Sequence, residues 1–61
     1  MRRYAVEVTY LQRNGIRVMR IYYPRASSMS DARFEAAIQA KYDKLDSPEV
    51  GKAYPVSQLG E

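Results

Sequence analysis

An Asn-Gly dipeptide between two alternating runs is the feature that most constrains the fold of this chain. Residues 3–12 and 16–23 are rich in β-branched and aromatic side chains and alternate as half-buried strands do. Asn14 and Gly15 lie between the two runs. A two-residue type I′ turn needs positive φ at both central residues, and Asn-Gly tolerates this best. The sequence therefore predicts an antiparallel β-hairpin over residues 3–23.

A turn centred on Asn14 and Gly15 also predicts the register of the hairpin. Leu11 is then opposite Val18, and side chains alternate between two faces of the sheet. One face is apolar throughout and is expected to cover the core; its members are Val6, Val8, Tyr10, Met19, Ile21 and Tyr23. The other face is expected to point outwards; its members are Ala5, Glu7, Thr9, Leu11, Val18, Arg20 and Tyr22.

The middle of the chain has the pattern of one amphipathic helix. Ser28 followed by Asp31 is an acidic variant of a capping box, and good helix formers then continue as far as Ser47-Pro48. We therefore predict a helix over residues 29–46. The stripe expected to face the sheet consists of Phe34, Ala37, Ile38, Lys41, Tyr42 and Leu45. The opposite side consists of Ala32, Glu35, Ala36, Gln39, Ala40 and Asp43.

The end of the chain leaves two alternatives open. Residues 53–58 have the composition of a short third strand, which Pro55 would confine to the edge of a sheet. Glycines and polar neighbours favour instead a loose tail over residues 49–61. With either ending, the predicted fold class is α+β in a single domain over residues 1–61. An antiparallel hairpin precedes one amphipathic helix, in the order ββα or ββαβ.

The composition argues against most catalytic and metal chemistry. The chain has 61 residues with no cysteine and no histidine, which removes thiolate sites, the commonest zinc ligand and the commonest general base. Helix capping explains a cluster of serines, namely Ser27, Ser28 and Ser30. A solvated helix end explains a group of carboxylates, namely Asp43, Asp46 and Glu49. We therefore expect no enzyme activity, no cofactor and no metal site.

The N-terminal residues alternate and contain no continuous apolar stretch. Neither a signal peptide nor a membrane span is therefore expected, and no membrane partner. The lack of cysteine suits a reducing compartment. We expect the protein to be cytoplasmic, in the cell that produces it or in a host cell.

Charge is distributed unevenly along the chain. The net charge is +3, and the basic residues of the first half are all arginines: Arg2, Arg3, Arg13, Arg17, Arg20 and Arg25. The second half is mildly acidic. Such asymmetry is typical of a surface for an anionic partner, and an apolar strip with an arginine rim is typical of a binding surface. The predicted partner-binding residues are Arg3, Leu11, Arg13, Arg17, Val18, Arg20 and Tyr22.

Three functions are compatible with these features. The first is a small inhibitor or adaptor that docks on a larger protein or nucleoprotein complex. The second is a nucleic-acid-binding domain, in which arginines of the hairpin contact phosphates and tyrosines stack on bases. The third is a structural homo-oligomer, because a chain of this length buries a small core and gains stability from a partner chain.

The order of the predicted elements resembles that of small phage-encoded inhibitors of host machinery. A hairpin, a Ser28-to-Asp31 helix start, one helix and a last strand, in a short chain without cysteine, are similar to anti-CRISPR proteins and to phage inhibitors of bacterial RNA polymerase. The resemblance concerns architecture and includes no specific motif. It implies a protein that blocks a surface without catalysis. Many such inhibitors are acidic DNA mimics, so the basic first half of this chain implies a basic or mixed contact surface instead.

Overall fold

A four-stranded antiparallel sheet with one helix on one of its faces makes up the computed structural model, which describes residues 1–56. The elements are β1 (Arg2–Leu11), β2 (Arg17–Tyr22), β3 (Arg25–Ala26), α1 (Met29–Tyr42) and β4 (Asp46–Pro55). β1 is the central strand and pairs antiparallel with each of the other three. The predicted α+β class, with a hairpin and one helix, is confirmed. Within residues 1–56 no helix has the length and apolar character needed to span a membrane.

The hairpin is present, but its turn differs from the predicted one. Gly15 donates its N–H to the carbonyl of Gln12 at 2.9 Å, and Gln12 donates its N–H to the carbonyl of Ile16 at 2.9 Å. Gly15 has a φ of 83°, whereas Asn14 is not among the residues with positive φ. The loop therefore has three residues that form a type I turn followed by a left-handed glycine, and not a two-residue type I′ turn.

The additional loop residue shifts β2 by one position along β1. Leu11 lies opposite Arg17 rather than Val18. Paired side chains share a face, and Val6 and Val8 pack with the alanines of α1, so the two faces can be assigned. The helix-side face consists of Tyr4, Val6, Val8, Tyr10, Val18, Arg20 and Tyr22. The outer sheet face consists of Ala5, Glu7, Thr9, Leu11, Arg17, Met19, Ile21 and, beyond β2, Tyr23. The predicted face assignments of β2 were therefore wrong.

β3 continues the hairpin beyond a short interruption. Arg25 is opposite Arg3, in the same register that β2 keeps with the rest of β1. Pro24 lies in the interruption, where it has no N–H to donate to a ladder, but its carbonyl accepts a hydrogen bond from the N–H of Tyr4 at 3.0 Å. The second strand of the hairpin thus extends over the whole length of β1.

α1 packs on the sheet through small side chains, which is the reverse of the predicted orientation. Ala32, Ala36 and Ala40 are fully buried. Phe34 is 66% exposed and Tyr42 is 83% exposed. Ile38 and Lys41 are exposed as well, although they also belong to the predicted core stripe. The space between helix and sheet is filled from the sheet and the following loop by large side chains, which include Tyr4, Val6, Val8, Tyr22, Leu45 and Val50. Alanine on the helix leaves room for them.

The two ends of α1 follow recognisable capping patterns. The predicted N-cap is confirmed, because the N–H of Asp31 donates to the hydroxyl of Ser28 at 3.2 Å. The helix ends at Tyr42, four residues before the predicted end. Leu45 donates to the carbonyl of Ala40 at 3.2 Å and Lys44 to that of Lys41 at 3.0 Å, the pair of bonds of a Schellman motif. Ser47 and Pro48 do not stop the helix and belong to β4.

Lys44 occupies the left-handed position of this motif, with a φ of 56°. Glycine adopts this conformation without the steric penalty that a Cβ imposes. We expect Lys44→Gly to raise the free energy of unfolding by about 0.5–1 kcal/mol, since part of the relieved strain is offset by the greater freedom of glycine in the unfolded chain. Urea denaturation followed by circular dichroism measures the change. Lys41→Gly, inside the helix, is the control and should lower stability by about 1 kcal/mol.

β4 provides the third strand that the sequence left open, but it begins earlier and is longer than predicted. It pairs with β1, and the register shifts twice, around Ser47-Pro48 and around Gly51-Lys52. Two prolines and two irregularities protect an edge strand against further pairing. Pro55 belongs to an edge strand, as predicted, and is its last residue rather than an interior one. Residues 57–61, the rest of the predicted tail, lie outside the described residues.

Candidate partner-binding surface

The outer sheet face is not covered by any element within residues 1–56. α1 lies against the opposite face of the sheet, so apolar side chains of the hairpin remain open to solvent. Met19 is 55% exposed, Tyr23 is 50% exposed and Ile21 is also exposed. β4 contributes Tyr54, which is opposite Ala5 and 43% exposed. These four side chains form an apolar and aromatic surface on one face of the sheet.

One row of this face consists of two tyrosines with an alanine between them. Ala5 is opposite Tyr54 on β4, and the registers of β2 and β3 place Tyr23 beside Ala5 on the other side. The adjacent row contains Arg3 directly opposite Arg25. Like charges in directly opposed positions destabilise a sheet, and within residues 1–56 neither arginine has a carboxylate within ion-pair distance. This end of the face is thus aromatic and positively charged.

Arg17, at the other end of the outer sheet face, is held by the molecule itself. Its guanidinium donates to the carbonyl of Ser47 at 2.6 and 3.3 Å and lies 3.7 Å from the carboxylate of Glu49. Leu11 pairs with Arg17 on one side and with Asp46 on the other, so the arginine extends across β1 to reach β4. The contact links the two outer strands, and we assign Arg17 a structural role there.

Arg20 and Tyr22 lie on the helix-side face and bind the end of α1. Arg20 donates to Asp43 at 3.0 Å, and the hydroxyl of Tyr22 donates to the same carboxylate oxygen at 2.5 Å. The Arg20 guanidinium also lies 5.6 Å from the ring centre of Tyr10 and 5.9 Å from that of Tyr22, within cation–π distance. Asp43 is the C-cap of α1, where a negative charge is normally unfavourable. The two donors compensate for this and fasten the helix to β2.

The phenol of Tyr22 is perturbed by this position. Burial raises its pKa above the ordinary value near 10, and the hydrogen bond that it donates to Asp43 raises the pKa further. The folded state therefore holds the proton more tightly than the unfolded state does. The contribution of the Tyr22 phenol to the free energy of unfolding is fully present below pH 10. It is lost as the pH rises through the raised pKa of the folded state.

Tyr22→Phe removes this hydroxyl and should have two effects. The free energy of unfolding at pH 7 falls by about 1 kcal/mol, because the hydrogen bond to Asp43 is lost. The decrease of stability above pH 10 becomes shallower than in the wild type. Urea titrations between pH 7 and the alkaline limit of folding measure both effects. Tyr23→Phe, at an exposed position of the outer sheet face, is the control. Equal alkaline slopes for all three proteins would contradict the assignment.

The structure divides the predicted partner-binding residues among three places. The outer sheet face contains Arg3, Leu11 and Arg17; the helix-side face contains Val18, Arg20 and Tyr22; the hairpin loop contains Arg13. Four exposed residues of the outer sheet face are missing from the predicted binding residues. Met19, Ile21 and Tyr23 were expected to cover the core, and Tyr54 had no predicted role in the site. The turn sequence Arg13-Asn14-Gly15 is compatible with the observed three-residue loop, in which glycine takes the third position, but glycine suits the two-residue loop as well.

No family model, curated protein or solved structure matches this chain. Its function is therefore inferred from the side chains of the outer sheet face and their surroundings.

Proposed function

We propose that this chain is a non-catalytic binding protein that docks on a larger protein through the outer sheet face. The observation that supports this most is the exposure of Met19, Ile21, Tyr23 and Tyr54 together on one face of the sheet. Aromatic side chains, methionine and arginine are enriched at protein interfaces, and this face combines all three. Blocking a surface of a host complex, as the phage-encoded inhibitors with a similar order of elements do, is the form of docking that we propose.

The charges of the face indicate the chemistry of the partner. Arg3 and Arg25 lie side by side at one end, and no carboxylate of residues 1–56 lies within ion-pair distance of either. A partner that places aspartate or glutamate side chains there relieves their mutual repulsion. Met19 and Ile21 form the apolar part of the face on β2, opposite Thr9 and Glu7 of β1, and require an apolar patch on the same partner surface. We therefore propose an apolar partner surface with an acidic rim.

The size of the face sets the strength of the contact. β1 has ten residues, which corresponds to a length of about 33 Å, and three strands side by side are about 14 Å wide. Docking on this face alone thus buries on the order of 500 Å² of the protein, less than the ~800 Å² per partner of a standard interface. The neighbouring edge of β2, which pairs with β1 on one side, offers backbone groups that extend the contact.

A matched pair of methionine variants tests this proposal. Met19→Glu places a charge in the apolar part of the outer sheet face on β2, and Met29→Glu places the same charge at the start of α1, where exposure is similar at 51%. We expect wild type and Met29→Glu to capture the same protein in stoichiometric amount from nuclease-treated bacterial lysate, and Met19→Glu to lose it. With the captured partner purified, Tyr23→Ala should weaken affinity about 30-fold or more, the effect of an interface hot spot.

Equal capture by Met19→Glu and Met29→Glu would exclude the outer sheet face as the docking surface. A captured species that disappears on nuclease treatment would support a second candidate, direct binding of single-stranded nucleic acid. The row of Tyr23, Ala5 and Tyr54 beside Arg3 and Arg25 favours this second candidate, because aromatic rings stack on bases and arginines contact phosphates. Its affinity should then fall steeply with salt, and Arg25→Ala should reduce the salt slope by about one.

A further inference from the structure

A second apolar surface lies on the opposite side of the molecule, on α1. Phe34, Ile38 and Tyr42 are spaced four residues apart and point away from the sheet; we call them the outer helix stripe. Phe34 and Tyr42 are among the most exposed large side chains of the described residues. The other side of α1 is the buried alanine row. A helix with apolar residues on both sides is typical of one that is covered on both sides.

The core of a single chain is small for its length. The largest fully buried side chains among the described residues are Val6 and Val8, and α1 contributes alanines alone to the buried set. Chains of about 60 residues bury only about 60% of their unfolded surface, and a second chain is a common source of the missing burial. The outer helix stripe offers two aromatic rings, each of which buries about 150–250 Å² when fully covered.

We infer that α1 pairs antiparallel with α1 of a second copy of this chain through the outer helix stripe. The stripe is symmetric about Ile38, because Phe34 and Tyr42 lie about 6 Å before and after it along the helix axis. A two-fold axis at Ile38 therefore places Phe34 of one copy opposite Tyr42 of the other. The two copies then use the same patch, as closed symmetric dimers do.

The charges beside the stripe favour the antiparallel arrangement over the parallel one. Lys41 and Glu35 flank the stripe on opposite sides of α1. In the antiparallel pair, Lys41 lies beside the ring of Phe34 of the second copy, and Glu35 lies beside the hydroxyl of Tyr42 of the second copy. In a parallel pair, Glu35 would instead lie beside the ring of Phe34 of the second copy, whose face repels an anion. Antiparallel pairing also opposes the two helix dipoles.

The size of the stripe predicts a weak dimer. Three side chains on a helix of 14 residues bury much less than the ~1,600 Å² of a standard interface, so the dissociation constant should be on the order of 10 µM. The outer sheet face lies on the other side of each copy and stays free. The dimer therefore presents two docking faces directed away from each other. This inference does not depend on the function proposed for that face.

Sedimentation velocity over a concentration range of roughly 1 µM to 1 mM tests the dimer. We expect the wild type to change from the mass of one chain to that of two with a midpoint near ~10 µM. Phe34→Glu should shift the midpoint at least tenfold upwards while its circular dichroism spectrum stays native, because the position is exposed. Met19→Glu, on the outer sheet face, should dimerise like the wild type. A single-chain mass for the wild type throughout, or equal midpoints for Phe34→Glu and the wild type, would overturn the inference.

Single cysteine variants test the direction of pairing, since the chain contains no cysteine of its own. Phe34→Cys and Tyr42→Cys proteins are mixed and oxidised, and the disulfides are identified by mass spectrometry. Antiparallel pairing predicts mainly the mixed disulfide between positions 34 and 42. Disulfides mainly between like positions would overturn the antiparallel arrangement. Neither cysteine substitution lies on the outer sheet face. A result that contradicts the dimer therefore leaves the proposed docking function untouched.

Discussion

Ala36→Leu should lower the free energy of unfolding by about 1–3 kcal/mol. Ala36 is fully buried between α1 and the sheet, in a space already filled by Val6, Val8 and neighbouring large side chains. A leucine there has to displace the helix or adopt a strained rotamer, and both are unfavourable in a closely packed core. For a domain of this size, such a loss corresponds to a decrease in melting temperature of about 5–20 °C.

Ala37→Leu is the matched control for this prediction. Ala37 follows Ala36 in the chain but is turned about 100° around the helix axis and is only half-buried. The same substitution there should change stability by less than about 0.5 kcal/mol. Urea denaturation of both variants gives the comparison. Because Ala37 belongs to the stripe that the sequence pattern predicts for the core, a larger loss for Ala37→Leu than for Ala36→Leu would mean that α1 packs through that stripe instead.

Val8→Ala should lower the free energy of unfolding by about 2 kcal/mol. The side chain is fully buried, and its removal loses the burial of two methyl groups and leaves a cavity between β1 and α1. The total stability of a chain of this length is about 3–9 kcal/mol, so this single change removes a large share of it. We expect a melting temperature that is lower by about 8–16 °C.

Val18→Ala is the control on the same face of the sheet. Val18 lies on β2, at the edge of the helix-side face, and is half-buried. Val18→Ala should lower the free energy of unfolding by less than about 1 kcal/mol, because the side chain of Val18 is already partly exposed to water. Differential scanning calorimetry of the two variants at one protein concentration measures the difference. A loss for Val18→Ala equal to that for Val8→Ala would contradict the position of the core described above.

The hairpin and the helix start were predictable because local chemistry determines them. Asn14-Gly15 turns the chain, and Ser28 with Asp31 begins α1. Each of these two features is formed by residues that are close together in the sequence and does not depend on the rest of the molecule. The register was not predictable to one residue, since Gly15 suits both a two-residue and a three-residue loop. That one residue moves Arg20 and Tyr22 from the predicted binding face to the helix, and moves Met19 and Ile21 into solvent.

By itself the sequence determined the fold class, the order of its hairpin and helix, and the position where the helix begins, because turns and caps are short-range. Only the tertiary structure decided the register of β2, the length of β4 and the side of α1 that is buried. Both sides of α1 are apolar, with an alanine row on one and Phe34, Ile38 and Tyr42 on the other. The space between the layers decides between them: side chains from the sheet and from Leu45 fill it, so only alanine fits on the helix.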